Sequence, residues 1–166
     1  MEDLLKKISP YQMFNFLMSG AVLVVALSKT TNIDLGTDDV VTTFFLYYFI
    51  GLVISRVGSL LVEPTLKFLR VIRFRPYPEY VQAAKLDAKL DTLSQENNTY
   101  RTLIATFLVY LAIYLTDKHA HQAVAGKSSL IFTVGACVLV ILFAFAYHKQ
   151  TKYITERIKA ALATKP

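Results

Sequence analysis

Residues 128–147 read SSLIFTVGACVLVILFAFAY, twenty positions without an Asp, Glu, Lys or Arg, bounded by Lys127 and Lys149. A helix of about 20 apolar residues covers the roughly 30 Å of hydrocarbon in a bilayer, so this stretch predicts a membrane span. Toward the amino terminus the same charge-free pattern recurs between Lys7 and Lys29, between Asp39 and Arg56, and between Arg101 and Asp117. Four gaps predict four spans: Tyr11 to Ser28, Val40 to Val62, Tyr100 to Thr116 and Ser128 to Tyr147. The third is at the short limit, so Arg101 and Lys118 are expected to snorkel or the bilayer to thin there. A mean hydropathy of +0.42 and a hydrophobic content of 54% agree, both being high for a soluble chain of 166 residues.

Lys6 and Lys7 ahead of the first apolar run, with Ala26-Leu27-Ser28 near its end, suit a secretory signal. The run is longer than a signal core, so a retained signal anchor is expected instead. Orientation follows from the basic residues, which are held on the cytoplasmic side. Of eighteen Lys and Arg, only Lys29, Lys118 and Lys127 flank the two short connections on one side, and the other fifteen lie opposite. Both termini and the segment between spans two and three are therefore expected in the cytosol.

The predicted fold is all-α: a polytopic membrane protein with four transmembrane helices and a small cytosolic helical layer. Residues 1–64 carry spans one and two, 65–99 a basic juxtamembrane segment and a cytosolic helix, 100–148 spans three and four, and 149–166 a basic tail helix. Ser9 as cap, Pro10 at the first helical position and Gln12 three residues after Ser9 form a capping box for span one. Pro64 lacks a donor and disfavours helical geometry at Glu63, so span two is expected to stop near Val62.

Thr65 to Arg75, with four basic residues among apolar ones, is expected to lie along the inner leaflet. After the Pro76-Tyr77-Pro78 turn, Glu79 to Leu93 reads as one helix with Leu86, Leu90 and Leu93 on a stripe. Lys85 and Lys89, and likewise Asp87 and Asp91, would then align like charges at i, i+4, which opposes an isolated helix. A partner surface that neutralises them, in this chain or a neighbour, is one reading; a solvated face is the other. Ile154, Ile158 and Leu162 in the tail are spaced to pack on that helix.

Small residues let membrane helices approach closely, and Gly51, Ser55 and Ser59, with Gly58 beside them, give span two such a face. Arg56 is about 24 Å along the helix from Val40; it snorkels, or it pairs with Glu63 or lines a pore or anion site. Asn15 and Ser19 share a face with Gln12, suited either to a pore between copies or to hydrogen bonds within one subunit. Lys67, Arg70, Arg73 and Arg75 form the strongest electrostatic feature. Each contributes about 1 kcal/mol toward an anionic leaflet, and Phe68, Phe74 and Tyr77 among them would also suit phosphate contacts and base stacking with a nucleotide or oligonucleotide.

Catalysis is not expected: no glycine-rich phosphate loop, Ser/His/Asp set or zinc-type helical pair is present. His119 and His121 alternate in an outer loop and are expected to be solvated rather than to hold a metal. No cofactor is expected either. Cys137 is the sole cysteine, which excludes a disulfide within the chain and leaves it a packing role. Asn97-Asn98-Thr99 matches a glycosylation sequon in form only, since it falls on the cytosolic side.

Three blocks carry a resemblance: Ser9-Pro10-Tyr11 with Asn15; Ser55-Arg56-Val57-Gly58-Ser59-Leu60-Leu61-Val62-Glu63-Pro64; and Asn97-Asn98-Thr99-Tyr100-Arg101-Thr102. Over roughly residues 9–105 the chain resembles small multi-pass effectors of bacterial anti-phage defence, of the Hailong transmembrane type first and of the Kiwa membrane-subunit type second. The resemblance implies a homo-oligomer, a tetramer by preference, in the bacterial inner membrane. It further implies a channel-like effector held closed by a DNA oligomer on its cytosolic basic surface, with Lys67, Arg70, Arg73 and Arg75 as ligand contacts, whose release depolarises the membrane. The alternative from another class is a non-conducting membrane scaffold or sensor that recruits a soluble partner through the Glu79 to Leu93 helix and the tail.

Overall fold

The computed structural model describes residues 10–33, 35, 38–121 and 127–163, with only the backbone of 119–121 and 127–129. The Ser9 capping box and the side chains of His119 and His121 lie outside the described residues. Every element among them is helical: α1 (Pro10–Thr30), α2 (Val40–Val57), a π-helical turn (Gly58–Val62), α3 (Glu63–Phe68), α4 (Tyr77–Leu86), α5 (Lys89–His121) and α6 (Lys127–Ala163). Four stretches are long and apolar enough to cross a membrane: Pro10–Thr30, Val40–Phe68, Lys89–Lys118 and Leu130–Ala163.

α1 and α2 pack as an antiparallel pair whose backbones touch. A Cβ on Gly20 would lie 1.8 Å from the Tyr47 carbonyl oxygen, and one on Gly51 would lie 1.7 Å from that of Phe16, so both positions require glycine. Asp39 starts α2 by accepting the Thr42 N–H at 2.7 Å. α5 is the central helix: α1 and α2 pack on it, and α6 packs along it as its own antiparallel partner. Leu23, Leu27, Ile54, Ile104 and Tyr110 fill the resulting core.

Span two does not stop at Val62. The Glu63 N–H reaches back to the Gly58 carbonyl, one residue farther than in an α-helix. That wide turn shifts the ladder so that Pro64 falls in the first turn of α3, where no donor is needed. The helical path then runs on to Phe68 rather than bending onto the leaflet after Pro64. It ends in a Schellman turn: Arg70 takes φ 58°, the Val71 N–H bonds the Leu66 carbonyl at 2.9 Å, and the Arg70 N–H bonds that of Lys67 at 3.0 Å. Residues 72–76 form an extended strap leading to α4.

The expected single helix over Glu79 to Leu93 is in fact two. Asp87 is extended (φ −138°, ψ 97°), and its carboxylate accepts the Lys89 N–H at 3.0 Å, ending α4 and starting α5. The break dissolves the like-charge alignment. It also separates the leucines: Leu86 is exposed, whereas Leu90 and Ala83 are buried against Ile154 and Ile158 of α6. α5 has 33 residues and α6 has 37, so the two run about 50 and 55 Å at helical rise. Each joins an apolar stretch to a polar extension without interruption. With α4 and the strap, these extensions make up the basic end of the molecule.

Candidate anion-binding site at the basic end

Glu63 stands where the π turn passes into α3, and three helices meet on its carboxylate. Lys67 of α3 donates to it at 2.7 Å, Arg101 of α5 at 2.6 Å, and the Tyr147 hydroxyl of α6 at 3.5 Å. Arg101, not Arg56, is thus the arginine paired with Glu63. Seven residues separate Arg56 from Glu63, about 10 Å of rise, and Arg56 points outward, exposed, with no ion pair among the described residues. Lys67 also lies 4.8 Å from the centre of the Phe74 ring, an electrostatically attractive placement.

The four basic residues singled out from the sequence do not form one surface. Lys67 and Arg75 border a cavity of about 360 Å³ together with Phe74, Tyr77, Tyr80 and Asn98. Both cations there already hold a carboxylate, Lys67 that of Glu63 and Arg75 that of Glu79 at 2.9 Å. Tyr80 donates its hydroxyl to Asp91 at 3.0 Å, and burial pushes its phenol above the ordinary tyrosine range.

Arg70 and Arg73 instead border a second groove of about 320 Å³ with His148, Thr151, Lys152 and Thr155 of α6, Thr155 also bordering the first cavity. Arg70, Arg73 and Lys152 form no ion pair among the described residues. Two bonds seat the strap on α6. The His148 Nδ1–H donates to the Val71 carbonyl, and the Thr155 hydroxyl donates to that of Arg73 at 3.4 Å.

Asn15 and Ser19 are enclosed within the subunit. The Asn15 amide lies 3.5 Å from the Thr102 hydroxyl, which in turn lies 3.4 Å from that of Ser55, and Ser19 is fully buried. This geometry uses their face for contacts among α1, α2 and α5. The other small residues of span two divide their tasks. Gly51 meets α1, a Cβ on Gly58 would come within 3.3 Å of the Arg101 carbonyl oxygen, and the Ser59 hydroxyl bonds the Arg56 carbonyl of its own helix at 3.0 Å.

Several members of the site escaped sequence reasoning. Arg101 was read as a span boundary, His148 fell at the end of the segment given to spans three and four, and Lys152 fell in the basic tail helix. The usable signal was the pattern Tyr147, His148 and Lys152 directly after the apolar run. Two further ties hold the α5 and α6 extensions together: Asn97 and Thr151 exchange side-chain hydrogen bonds at 3.2 and 3.3 Å, and the Gln150 amide donates to Glu96 at 2.9 Å. Comparisons with protein families, curated proteins and solved structures find no match to this chain.

Proposed function

We propose that the chain is a multi-pass membrane effector whose basic end faces the cytosol and takes an anionic nucleotide or nucleic-acid ligand, with capture relayed to the spans through Glu63. The supporting observation is the position of Lys67, which lines the cavity and holds the carboxylate that also binds Arg101 and Tyr147. A phosphate that draws Lys67 and Arg75 away from Glu63 and Glu79 alters the charge balance at the meeting point of three helices. The π turn beside it is a natural place for a shift, since such turns are frequent at functional sites. Phe74, Tyr77 and Tyr80 offer aromatic faces for a base, and about 360 Å³ is of ligand-pocket size.

In this reading the protein is a channel-like homo-oligomer of bacterial anti-phage defence, a tetramer by the resemblance given above. Since Asn15 and Ser19 are enclosed, conduction requires either repacking of α1 or a path along other faces. The test is ion flux from liposomes carrying the purified protein. Flux without ligand that a short DNA oligomer closes supports the reading, and a bilayer that stays tight in both conditions overturns it. Lys67→Gln with Arg75→Gln is expected to leave flux insensitive to the oligomer.

A second reading, a scaffold for a soluble partner, is favoured by the exposed Tyr77, Leu86 and Tyr153 on the extensions of the basic end. Stoichiometric co-purification of a partner without conductance selects it.

A further inference from the structure

The face of α6 that leads to the second groove changes character along its length. Val134, Val138, Ile141 and Phe145 follow at steps of four, three and four residues, which keeps them on one helical face. They are 52%, 57%, 56% and 70% exposed, so this face is left largely open by the described residues. The same face continues in steps of three and four to His148 and Lys152, where Arg70 comes in from the turn after α3 and Arg73 from the strap. From Val134 to Phe145 the helix rises about 16 Å. The hydrocarbon of a single leaflet is about 15 Å deep.

The groove has the chemistry of a phosphate site and lacks that of a base site. Among the described residues its three cations form no ion pair, the rest of its lining is Thr151, Thr155, His148, Val71 and Ile72, and no Asp, Glu, Phe, Tyr or Trp borders it. The cavity bordered by Lys67 and Arg75 is the opposite, rich in aromatic rings with its cations already neutralised. Arg70 adds an independent indication. It occupies a left-handed turn position that favours glycine, and backbone strain of this kind is a pointer to a side chain with a task.

We infer that this groove binds an anionic phospholipid, its phosphate held by Arg70, Arg73 and Lys152 and an acyl chain laid along Val134, Val138, Ile141 and Phe145. His148 positions the site: its bond to Val71 fixes the strap, and hence both arginines, against α6. The lipid is distinct from the soluble ligand proposed above and needs no conductance to be detected.

Native mass spectrometry of the protein from detergent micelles doped with phosphatidylglycerol or with phosphatidylcholine tests this. Preferential retention of phosphatidylglycerol is expected. Arg70→Gly, which suits the turn, and Lys152→Gln, on an exposed position, are each expected to lower that retention about fivefold. Phe145→Ala is expected to weaken retention of both lipids. Equal retention of the two lipids by the unaltered protein, or undiminished phosphatidylglycerol retention in the Arg70→Gly, Lys152→Gln double variant, overturns the site. Displacement of the lipid by millimolar inorganic phosphate alone overturns the acyl-chain half and makes the groove a site for soluble phosphate.

Discussion

Arg101 and Glu63, 38 residues apart in the chain, meet at 2.6 Å with their side chains only 14% and 19% exposed. The pair joins α3 to α5 where Tyr147 of α6 also arrives. Removing one partner of a buried pair typically costs about 3–5 kcal/mol; without Arg101 the Glu63 carboxylate keeps Lys67 at 2.7 Å, which puts the cost at the low end. Arg101→Met is therefore expected to destabilise the protein by about 3 kcal/mol. Adding Glu63→Gln should recover part of the loss, as a double-mutant cycle by denaturant titration in detergent would show. Strict additivity would mean that the two side chains are not coupled.

The crossing of α1 over α2 makes a sharper steric prediction. Gly20→Ala and Gly51→Ala each drive a methyl group into a backbone carbonyl that cannot rotate away, with an expected loss of about 2–3 kcal/mol apiece. Gly135 has open space around its Cβ direction, so Gly135→Ala serves as the tolerated control. Thermal unfolding of the three variants in one detergent separates them.

Arg70 sits in a left-handed turn that costs a residue with a Cβ about 1–2 kcal/mol. Glycine escapes that strain but loses more entropy on folding. Arg70→Gly is accordingly expected to leave the fold as stable or to stabilise it by up to about 1 kcal/mol, even as it lowers the expected lipid retention. A clear fall in melting temperature would mean that the arginine side chain supports the fold itself.

Acid should loosen the outer end of the α5–α6 pair. Hydrogen bonds from the Arg157 guanidinium, one of them Nη2–H to Oδ1 at 3.1 Å, hold the Asp87 carboxyl below its ordinary range. The folded value therefore lies below the unfolded one, so the contact stabilises fully above the unfolded value and is lost as pH falls through the folded one. Amide exchange at Ala83 and Leu90 is expected to rise over that acid interval. In Asp87→Asn that pH dependence should vanish, with exchange already raised at neutral pH.

Apolar run length and charge spacing made the four long helices legible, because both act along a single helix. The small-residue spacing likewise picked out Gly51. Its counterpart Gly20 had no such spacing to mark it, and its need for glycine arises only when the Tyr47 carbonyl arrives from another helix. Pro64 misled for a related reason. A proline stops a regular ladder, but the π turn over Gly58–Val62, beside Arg101, moves the ladder past it. Asp87 was read as one more charge on a helix face, whereas Arg157, 70 residues away, favours its use as a break. Periodicity placed Asn15 and Ser19 on one face correctly and carried no information about what covers that face.

Among the described residues α5 and α6 run without a joint, so a movement imposed on one end would reach the other. Each is a stiff rod passing from the polar extension through the apolar stretch, whereas span two has a softer elbow in its π turn. A push on the tip, near Asp87 and Arg157, is carried as tilt to the opposite end of both rods, as on a lever, with little lost to bending between. The elbow beside Glu63 is where the neighbouring span can yield to that torque.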